Sequence, residues 1–262
     1  MKIFLRTFLL AALPALVAAQ IAAQGSHASS GNLPAEAEEI RALANEARAQ
    51  AGVGPLVWDQ SLAAAALRHC LRMAEEGPIS HQYSGEPDLS ARTAGAGAHF
   101  SVVEENVATG PSGSAIHEEW MHSPGHRANL LSPEVDRVGI AVVAARGVLY
   151  AVADYSRAVE QMSTTQVEAR VAALVRAGGV AILRDPSLAR AACATDEGMP
   201  RASGGEMPRF VMRWQDADLS QLPEALADRL ASGNFRQAAV GSCAAQISGG
   251  SFTAYRVAVL LY

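Results

Sequence analysis

Apolar residues recur at helical spacing in two early stretches of the chain. The first stretch covers residues 36–50 and stops at Gly52; its apolar positions are Ile40, Leu43, Ala44 and Ala47. The second begins after Asp59 and closes at Gly77, with Leu62, Ala66, Cys70 and Met73 along one face. Because this spacing places apolar side chains on one side of a helix, the pattern predicts two helices that pack into a core.

A different pattern follows. Residues 77–113 contain many Gly, Pro and Ser residues and predict an irregular segment, while 115–122 (AIHEEWMH) predicts a short helix. Ser123 and Pro124 then predict the start of another helix, capped by the serine side chain. Residues 138–155 hold two β-rich runs around Arg146-Gly147, which is typical of a hairpin. This order of elements predicts an α+β fold with helices on a mainly antiparallel sheet.

Residues 159–262 predict a smaller α+β region. QMSTTQVEARVAALVRAGG is typical of a linking helix, FVMRWQDADLSQLPEALADRLASG of a strand and a helix, and the end of a strand pair around residues 248–251. DPSLARAAC is similar to DQSLAAAALRHC in the earlier part, and the closing strands are similar to the earlier hairpin. These likenesses indicate a degenerate half-repeat, although a shared alanine-rich composition would produce them too.

The beginning of the chain has the composition of an export signal. Lys2 and Arg6 precede an apolar run that Pro14 interrupts, and the run is shorter than the roughly 20 residues of a membrane-spanning helix. Small residues suit cleavage after Ala19 or Ala23. We therefore predict a signal peptide at 1–23, with an uncleaved anchor as the alternative, then a flexible lead-in at 24–34. The mature protein is expected to be secreted or periplasmic, without a membrane span.

Charge and cysteine content narrow the picture further. The chain has 21 Lys and Arg residues against 26 Asp and Glu residues. Without a clustered basic face, a nucleic-acid partner is not expected. Three cysteines in an exported protein allow one internal disulfide. Cys193 and Cys243 share the C-terminal region and are predicted to pair, whereas Cys70 lies in a helical pattern and is predicted to be a small buried hydrophobe.

Several motifs occur in a fixed order: NEARAQAGVGPLVWDQSLAAAALRHC, SHQY, EENVATG, EEWMHSPGHRANLL, VGIAVV and YAVADYS. Their order resembles the bacterial branch of the CAP superfamily, which is named after cysteine-rich secretory proteins, antigen 5 and pathogenesis-related 1 proteins and is also called the SCP domain. The resemblance covers about residues 36–158, and we place the domain at 35–158. It implies an α-β-α sandwich with a cleft where two histidines and acidic residues converge, in several members around a divalent metal such as zinc.

The resemblance also implies which residues line that cleft. His81 matches the histidine after the second helix, Glu105 the acid of the Glu-Asn motif, and His126 the histidine of the Gly-His motif. These three residues are therefore the candidate cleft and metal-binding residues.

One position departs from the family pattern. Many eukaryotic relatives have an acid three residues after the helix tryptophan, and this sequence has Ser123 at that distance from Trp120. Glu118 and Glu119 are nearby acids in a different register, and Glu119 is kept as a fourth candidate for the cleft. The departure weakens the hypothesis of a complete family-type site.

The residue types allow an argument that does not depend on the family. Two imidazoles and one carboxylate form the ligand set of many open zinc sites, which can lower the pKa of bound water and support hydrolysis. However, His81, Glu105 and His126 are far apart in the sequence, and no compact signature such as H-E-x-x-H occurs. A zinc or other divalent metal site is one hypothesis; a structural pair of Glu105 and His126 is the other.

Three functions therefore stay open. The leading hypothesis is an exported CAP-domain protein whose His/Glu cleft binds a lipid, peptide or glycan, either directly or through a divalent metal. The second is a metal-dependent hydrolase of peptide or envelope material. The third is a non-catalytic envelope or host-interaction module that binds an envelope protein and whose histidines are structural. The sequence does not decide whether the protein is an enzyme.

Overall fold

A computed structural model describes residues 33–199, 206–246 and 251–262. The predicted signal peptide at 1–23, and the lead-in as far as residue 32, lie outside the described residues. The described chain forms two units, each built on one four-stranded sheet. We refer to residues 33–158 as the first unit and to the described part of 159–262 as the second unit.

The first unit contains five helices and four strands. In chain order they are α1 (Pro34–Gln50), β1 (Val57–Trp58), α2 (Gln60–Glu76), α3 (Leu89–Gly95), β2 (Phe100–Gly110), α4 (Gly113–His122), α5 (Pro124–Leu131), β3 (Arg137–Ala145) and β4 (Val148–Ala158). The sheet order is β1-β3-β4-β2; β1 is parallel to β3 and the other pairs are antiparallel. Strand β2 therefore lies at an edge of this sheet.

Helices cover both faces of the first sheet. Side chains alternate between the two faces of a strand, so Ile140 and Val142 of β3 pack with α1, α4 and α5, whereas Ala141 and Val143 pack with α2. Gly139 of β3 allows α2 to approach the sheet closely, because a Cβ there would lie 2.0 Å from the backbone N of Ala63. The predicted α+β class and α-β-α arrangement are thus confirmed.

The local predictions for the first unit are mostly confirmed. The two core helices form, and the hairpin turns at Arg146 and Gly147, whose φ angles of 53° and 80° suit a type I′ turn. Helix α1 begins at Pro34, ahead of the apolar pattern that starts at residue 36. Cys70 is buried, as predicted, and burial raises the pKa of its thiol to about 12.

Two predictions for this unit are wrong. The segment 77–113 is not irregular throughout, because it contains α3 and the eleven-residue strand β2. The polar run at Glu104, Glu105 and Asn106 conceals the alternation of that strand. Ser123 occupies the N-cap position of α5, yet its side chain makes no capping hydrogen bond, so Pro124 alone of the two predicted start signals acts as expected.

The second unit repeats the strand order of the first. Its elements are α6 (Thr164–Ala177), β5 (Ala181–Ile182), α7 (Ser187–Cys193), β6 (Phe210–Asp216), α8 (Glu224–Ala231), β7 (Gln237–Cys243) and β8 (Tyr255–Leu261). The sheet order is β5-β7-β8-β6, with β5 parallel to β7 and the other pairs antiparallel. Gly241 takes the place of Gly139, since a Cβ there would lie 2.2 Å from the backbone N of Arg190 on α7.

The two units follow one another in the chain and contact each other, and the second unit contains one disulfide bond. Cys193 and Cys243 form the predicted bond, which joins the end of α7 to the end of β7. Between the units, the backbone N–H of Thr253 donates to the carbonyl of Phe100 at 2.8 Å, and the rings of Phe100 and Phe252 meet edge to face. Across the described residues, none of the helices combines the length and apolar character needed to cross a bilayer.

Candidate functional site

Strand β2 places its polar residues on opposite faces of the sheet edge. Val107 packs with α2, whereas Ala108 packs with the layer of α1, α4 and α5. Because the side-chain period of a strand is two, Glu105 faces the side of α2, and Glu104 and Asn106 face the side of α5. The candidate site is therefore built around an edge strand that has a helix layer on each side.

Glu105 holds the ring of His81. The carboxylate is buried, and its Oε1 accepts a hydrogen bond from His81 Nδ1 at 2.8 Å. Its Oε2 accepts a hydrogen bond from the guanidinium of Arg92, a buried residue of α3. Arg92 also donates to the backbone carbonyl of His81 at 3.0 Å. Arg92 and Glu105 thus fix both the ring and the backbone of an otherwise exposed histidine.

The contacts among His81, Glu105 and Arg92 favour the charged forms of His81 and Glu105. The hydrogen bond to Glu105 raises the pKa of His81, against opposing effects of burial and of Arg92. Burial alone would raise the pKa of Glu105, but the hydrogen bond from His81 and the charges of Arg92 and His69 lower it overall. Glu105 is therefore the ionised member of the site.

A second histidine, His69, holds the segment between α2 and α3 that carries His81. His69 is fully buried on α2; its Nδ1 lies 2.8 Å from Glu86 Oε1, and its Nε2 donates to the Ser80 carbonyl at 2.8 Å. The same Nε2 lies 3.9 Å from Glu105 Oε2. Both ring nitrogens are therefore engaged within the protein, so the role of His69 is to hold the segment that carries His81.

A buried acid lies behind Glu105 on the neighbouring strand. Asp154 of β4 is the cross-strand partner of Glu105 and is fully buried. Neither of its carboxyl oxygens has a hydrogen-bond partner among the described residues. Burial, and next the charge of Glu105, raises the pKa of Asp154 well above its usual range. Of two carboxyl groups this close, one keeps its proton, and here that one is Asp154.

Asparagines connect His126 to the other side of β2. Asn106 Nδ2 donates to the backbone carbonyl of His126 at 2.9 Å, and Asn129 Nδ2 donates to the carbonyl of Glu105 at 3.1 Å and to Asn106 Oδ1 at 3.1 Å. These bonds tie α5 to the strand. The ring of His126 is half-buried, and its Nδ1 has no hydrogen-bond partner in the described chain.

His126 shares its surroundings with two of the other candidates. Burial, and next the charge of His81, lowers the pKa of His126, while Glu119 opposes that shift. The carboxylate of Glu119 is exposed on α4. His81 and Glu119 therefore act on His126, and Glu105 acts on His81. The alternative in which Glu105 pairs with His126 is wrong, because both oxygens of Glu105 are occupied by His81 and Arg92.

The ligand set suggested for a metal does not fit this arrangement. Glu105 uses both oxygens within the protein, and the adjacent guanidinium of Arg92 would repel a cation. Among the residues that the structure describes, no three His, Cys, Asp or Glu side chains are grouped so as to hold a metal ion. His81 Nε2 and His126 Nδ1 are the ring nitrogens left for a ligand.

Sequence reasoning missed three residues of the site: His69, Arg92 and Asp154. His69 lies next to Cys70 in a helical pattern, and no motif of the sequence points to it. Arg92 lies in a segment that was expected to be irregular, so nothing indicated its burial. Asp154 offered a usable signal, since an acid inside the apolar run YAVADYS must be exposed, paired or protonated.

The fold and this cleft define a CAP-type domain. The sequence profile of the CAP, or cysteine-rich secretory protein, family matches residues 42–155. This part of the chain therefore has the sequence pattern of that family.

Two curated relatives from Bacillus subtilis match the same part of the chain. The uncharacterized membrane protein YlbC is 32% identical over 106 residues, which is 40% of this chain and 31% of that protein. The uncharacterized protein YkwD is 27% identical over 110 residues, which is 40% of this chain and 42% of that protein. The match therefore spans less than half the length of either relative.

Solved structures show likenesses of similar extent. An extracellular SCP-domain protein from Bacillus anthracis is 26% identical, with a TM-score of 0.44 and coverage of 47% of this chain and 41% of that one. An outer surface protein from Borrelia burgdorferi is 17% identical, with a TM-score of 0.46 and coverage of 49% and 98%.

Proposed function

We propose that this chain is an exported binding protein whose CAP domain takes up a polar ligand between His81 and His126. One observation carries the proposal: a buried carboxylate holds an imidazole whose side chain is 60% exposed. A ring fixed in this way keeps its second nitrogen in a defined direction, which is how proteins orient histidines toward a ligand. The ligand class is a lipid head group, a peptide or a glycan.

The surroundings of the two rings support a binding role. His81 Nε2 makes no hydrogen bond within the described chain, and His126 Nδ1 is buried without a partner. A ligand that supplies a partner to the buried nitrogen removes the cost of leaving it unsatisfied. A divalent metal here would have only the imidazoles of His81 and His126 as side-chain ligands, because both oxygens of Glu105 are already engaged.

Two independent features support export. The first residues have the composition of a signal peptide, and the disulfide between Cys193 and Cys243 is of a kind that persists in oxidising compartments.

The test follows the histidine ring resonances of the mature protein by NMR during two titrations. One uses zinc chloride and the other a muramidase digest of peptidoglycan. We expect the resonances of His81 and His126 to shift together with at least one probe, and His81→Ala to weaken that binding at least tenfold. The His99→Ala variant is the matched control, because this histidine is exposed just ahead of β2 and its Nδ1 lies 3.4 Å from the Thr253 hydroxyl, away from both His81 and His126 in the contacts described.

The two titrations also separate direct binding from metal-assisted binding. A response to zinc that disappears in both His81→Ala and His126→Ala would assign the metal to the two imidazoles. A response to the digest in zinc-free buffer would assign the ligand to them directly. Equal shifts of all exposed histidines, or unchanged rings with both probes, would contradict a binding site here.

A further inference from the structure

A cavity outside the histidine cleft lies beside α5, on the face of β2 opposite Glu105. It has a volume of about 660 Å³ and is lined by Glu104, Met121, His122, Arg127, Leu131 and Ser132, among others. None of the four cleft candidates lines it. Its size is within the range of roughly 300–1,000 Å³ that is typical of small-ligand pockets.

Glu104 provides a desolvated acid at this cavity. Its Oε2 is buried and has no hydrogen-bond donor among the described residues. Burial raises the pKa of Glu104 and the charge of Glu134 adds to this rise, while a hydrogen bond with the Ser132 side chain and the charge of Arg48 oppose it. Arg48 is not a direct partner, because it donates to the backbone carbonyls of Gly54, Leu130, Ser132 and Val135. The acid therefore lacks a cationic donor in contact with it.

Arg127 provides the opposite charge. It is exposed on α5, and within the described chain its guanidinium forms neither an ion pair nor a side-chain hydrogen bond. Glu104 and Arg127 thus line one cavity without pairing with each other. The half-buried side chains of Met121 and Leu131 provide apolar surface in the same cavity.

We propose that this cavity binds a short peptide with free ends, with its ammonium group at Glu104, its carboxylate at Arg127 and an apolar side chain against Met121 and Leu131. The ammonium supplies a donor to Glu104 Oε2, which has none within the described chain, and a guanidinium binds a carboxylate with two parallel hydrogen bonds. The proposal goes beyond the histidine cleft, because it uses different residues on the other face of β2.

Calorimetric titration of the full mature protein tests this binding with three probes: Leu-Leu, N-acetyl-Leu-Leu and Leu-Leu-amide. We expect Leu-Leu to bind and each blocked peptide to bind at least tenfold more weakly, because each has lost one charged end. Arg127→Gln should weaken binding of Leu-Leu at least tenfold and leave the weak binding of Leu-Leu-amide unchanged. This variant is at an exposed position, so it is expected to fold.

Further variants separate this site from the cleft. Glu104→Gln should weaken Leu-Leu and leave N-acetyl-Leu-Leu unchanged, while His81→Ala should keep the wild-type affinity for Leu-Leu. Equal affinity for blocked and free peptides, or no binding of any of the three, would overturn the proposal. Loss of Leu-Leu binding in His81→Ala but not in Arg127→Gln would overturn it as well, because it would place the peptide in the histidine cleft.

Discussion

The two sheets have the same strand order but carry opposite charges at one equivalent position. Glu105 on β2 pairs with Asp154 on β4, which in turn pairs with Gly139 on β3. In the second unit, Arg213 on β6 pairs with Ala258 on β8, which pairs with Gly241 on β7. The glycines fix the correspondence, because each allows a helix to approach its sheet.

Glu105 holds the chain that follows α2, and Arg213 holds the last turn of α7 and the chain after it. Arg213 donates to the backbone carbonyls of Ala192 and Gly198 at 2.6 and 2.7 Å. Glu105 instead binds the side chain of His81. Apart from a contact of 3.4 Å with the Thr195 hydroxyl, Arg213 binds backbone carbonyls and holds no imidazole, whereas an acid can orient one. The cleft therefore depends on the residue type at this position and not on the topology, which both units share.

The largest expected effect comes from removing the charge at each anchor. Glu105→Gln should destabilise the protein by about 3–5 kcal/mol, because it leaves the buried guanidinium of Arg92 without its partner. Arg213→Gln should cost only about 1–2 kcal/mol, since it removes hydrogen bonds at a partly exposed side chain. Chemical denaturation followed by tryptophan fluorescence measures both losses.

The histidine ring resonances provide the second readout of this pair of variants. His81 should become mobile in Glu105→Gln and stay unchanged in Arg213→Gln. Equal losses of stability in the two variants, with His81 equally ordered, would show that the acid is only a structural anchor like the arginine.

The next effect concerns the covalent link that only the second unit contains. Replacing Cys193 and Cys243 together by alanine should cost about 2–4 kcal/mol, because the bond restricts the unfolded chain over a separation of 50 residues. Trp214 lies on β6 and Trp120 in the core of the first unit, so variants that keep one tryptophan report on each unit separately. We expect the transition seen by Trp214 to move and that seen by Trp120 to move less; equal movement would mean that the units unfold as one.

The smallest effect depends on pH. The folded protein retains a proton on Asp154 that the unfolded chain releases above its usual pKa of 3.8. Stability from this group is therefore lost as the pH rises above 3.8 toward the raised pKa. Asp154→Asn should remove this dependence, so its stability relative to wild type should improve between pH 5 and pH 7. Parallel curves for the two proteins, measured by urea denaturation at each pH, would contradict a protonated Asp154.

Local patterns in the sequence were sufficient for much of the fold. Nearby residues determine the helical spacing before Gly52 and Gly77 and the turn at Arg146-Gly147. The pairing of Cys193 with Cys243 was predictable because the chain has only three cysteines. Strand β2 was missed because two acids and an asparagine occupy its centre. Their burial depends on α3, α5 and β4, and no local pattern contains that information.

The individual contacts of the candidate site also could not be predicted from local patterns in the sequence. The family resemblance selected His81, Glu105 and His126, and Glu119 was added as a nearby acid; in the structure the charges of His81 and Glu119 act on His126. The resemblance did not indicate that Arg92 would occupy one oxygen of Glu105, which changes the carboxylate from a candidate ligand into a support. That contact joins residues from two elements, one of which the sequence did not predict.

The alternation of Glu104 and Glu105 along β2 makes this strand sensitive to changes in length. A substitution alters the cavity or the cleft one at a time, since each carboxylate serves one face. Inserting or deleting a single residue ahead of Glu104 would turn every following side chain of the strand to the other face, and both binding surfaces would be lost together. Engineered versions of the domain should therefore accept added residues in the exposed turn at Arg146-Gly147, and none within β2.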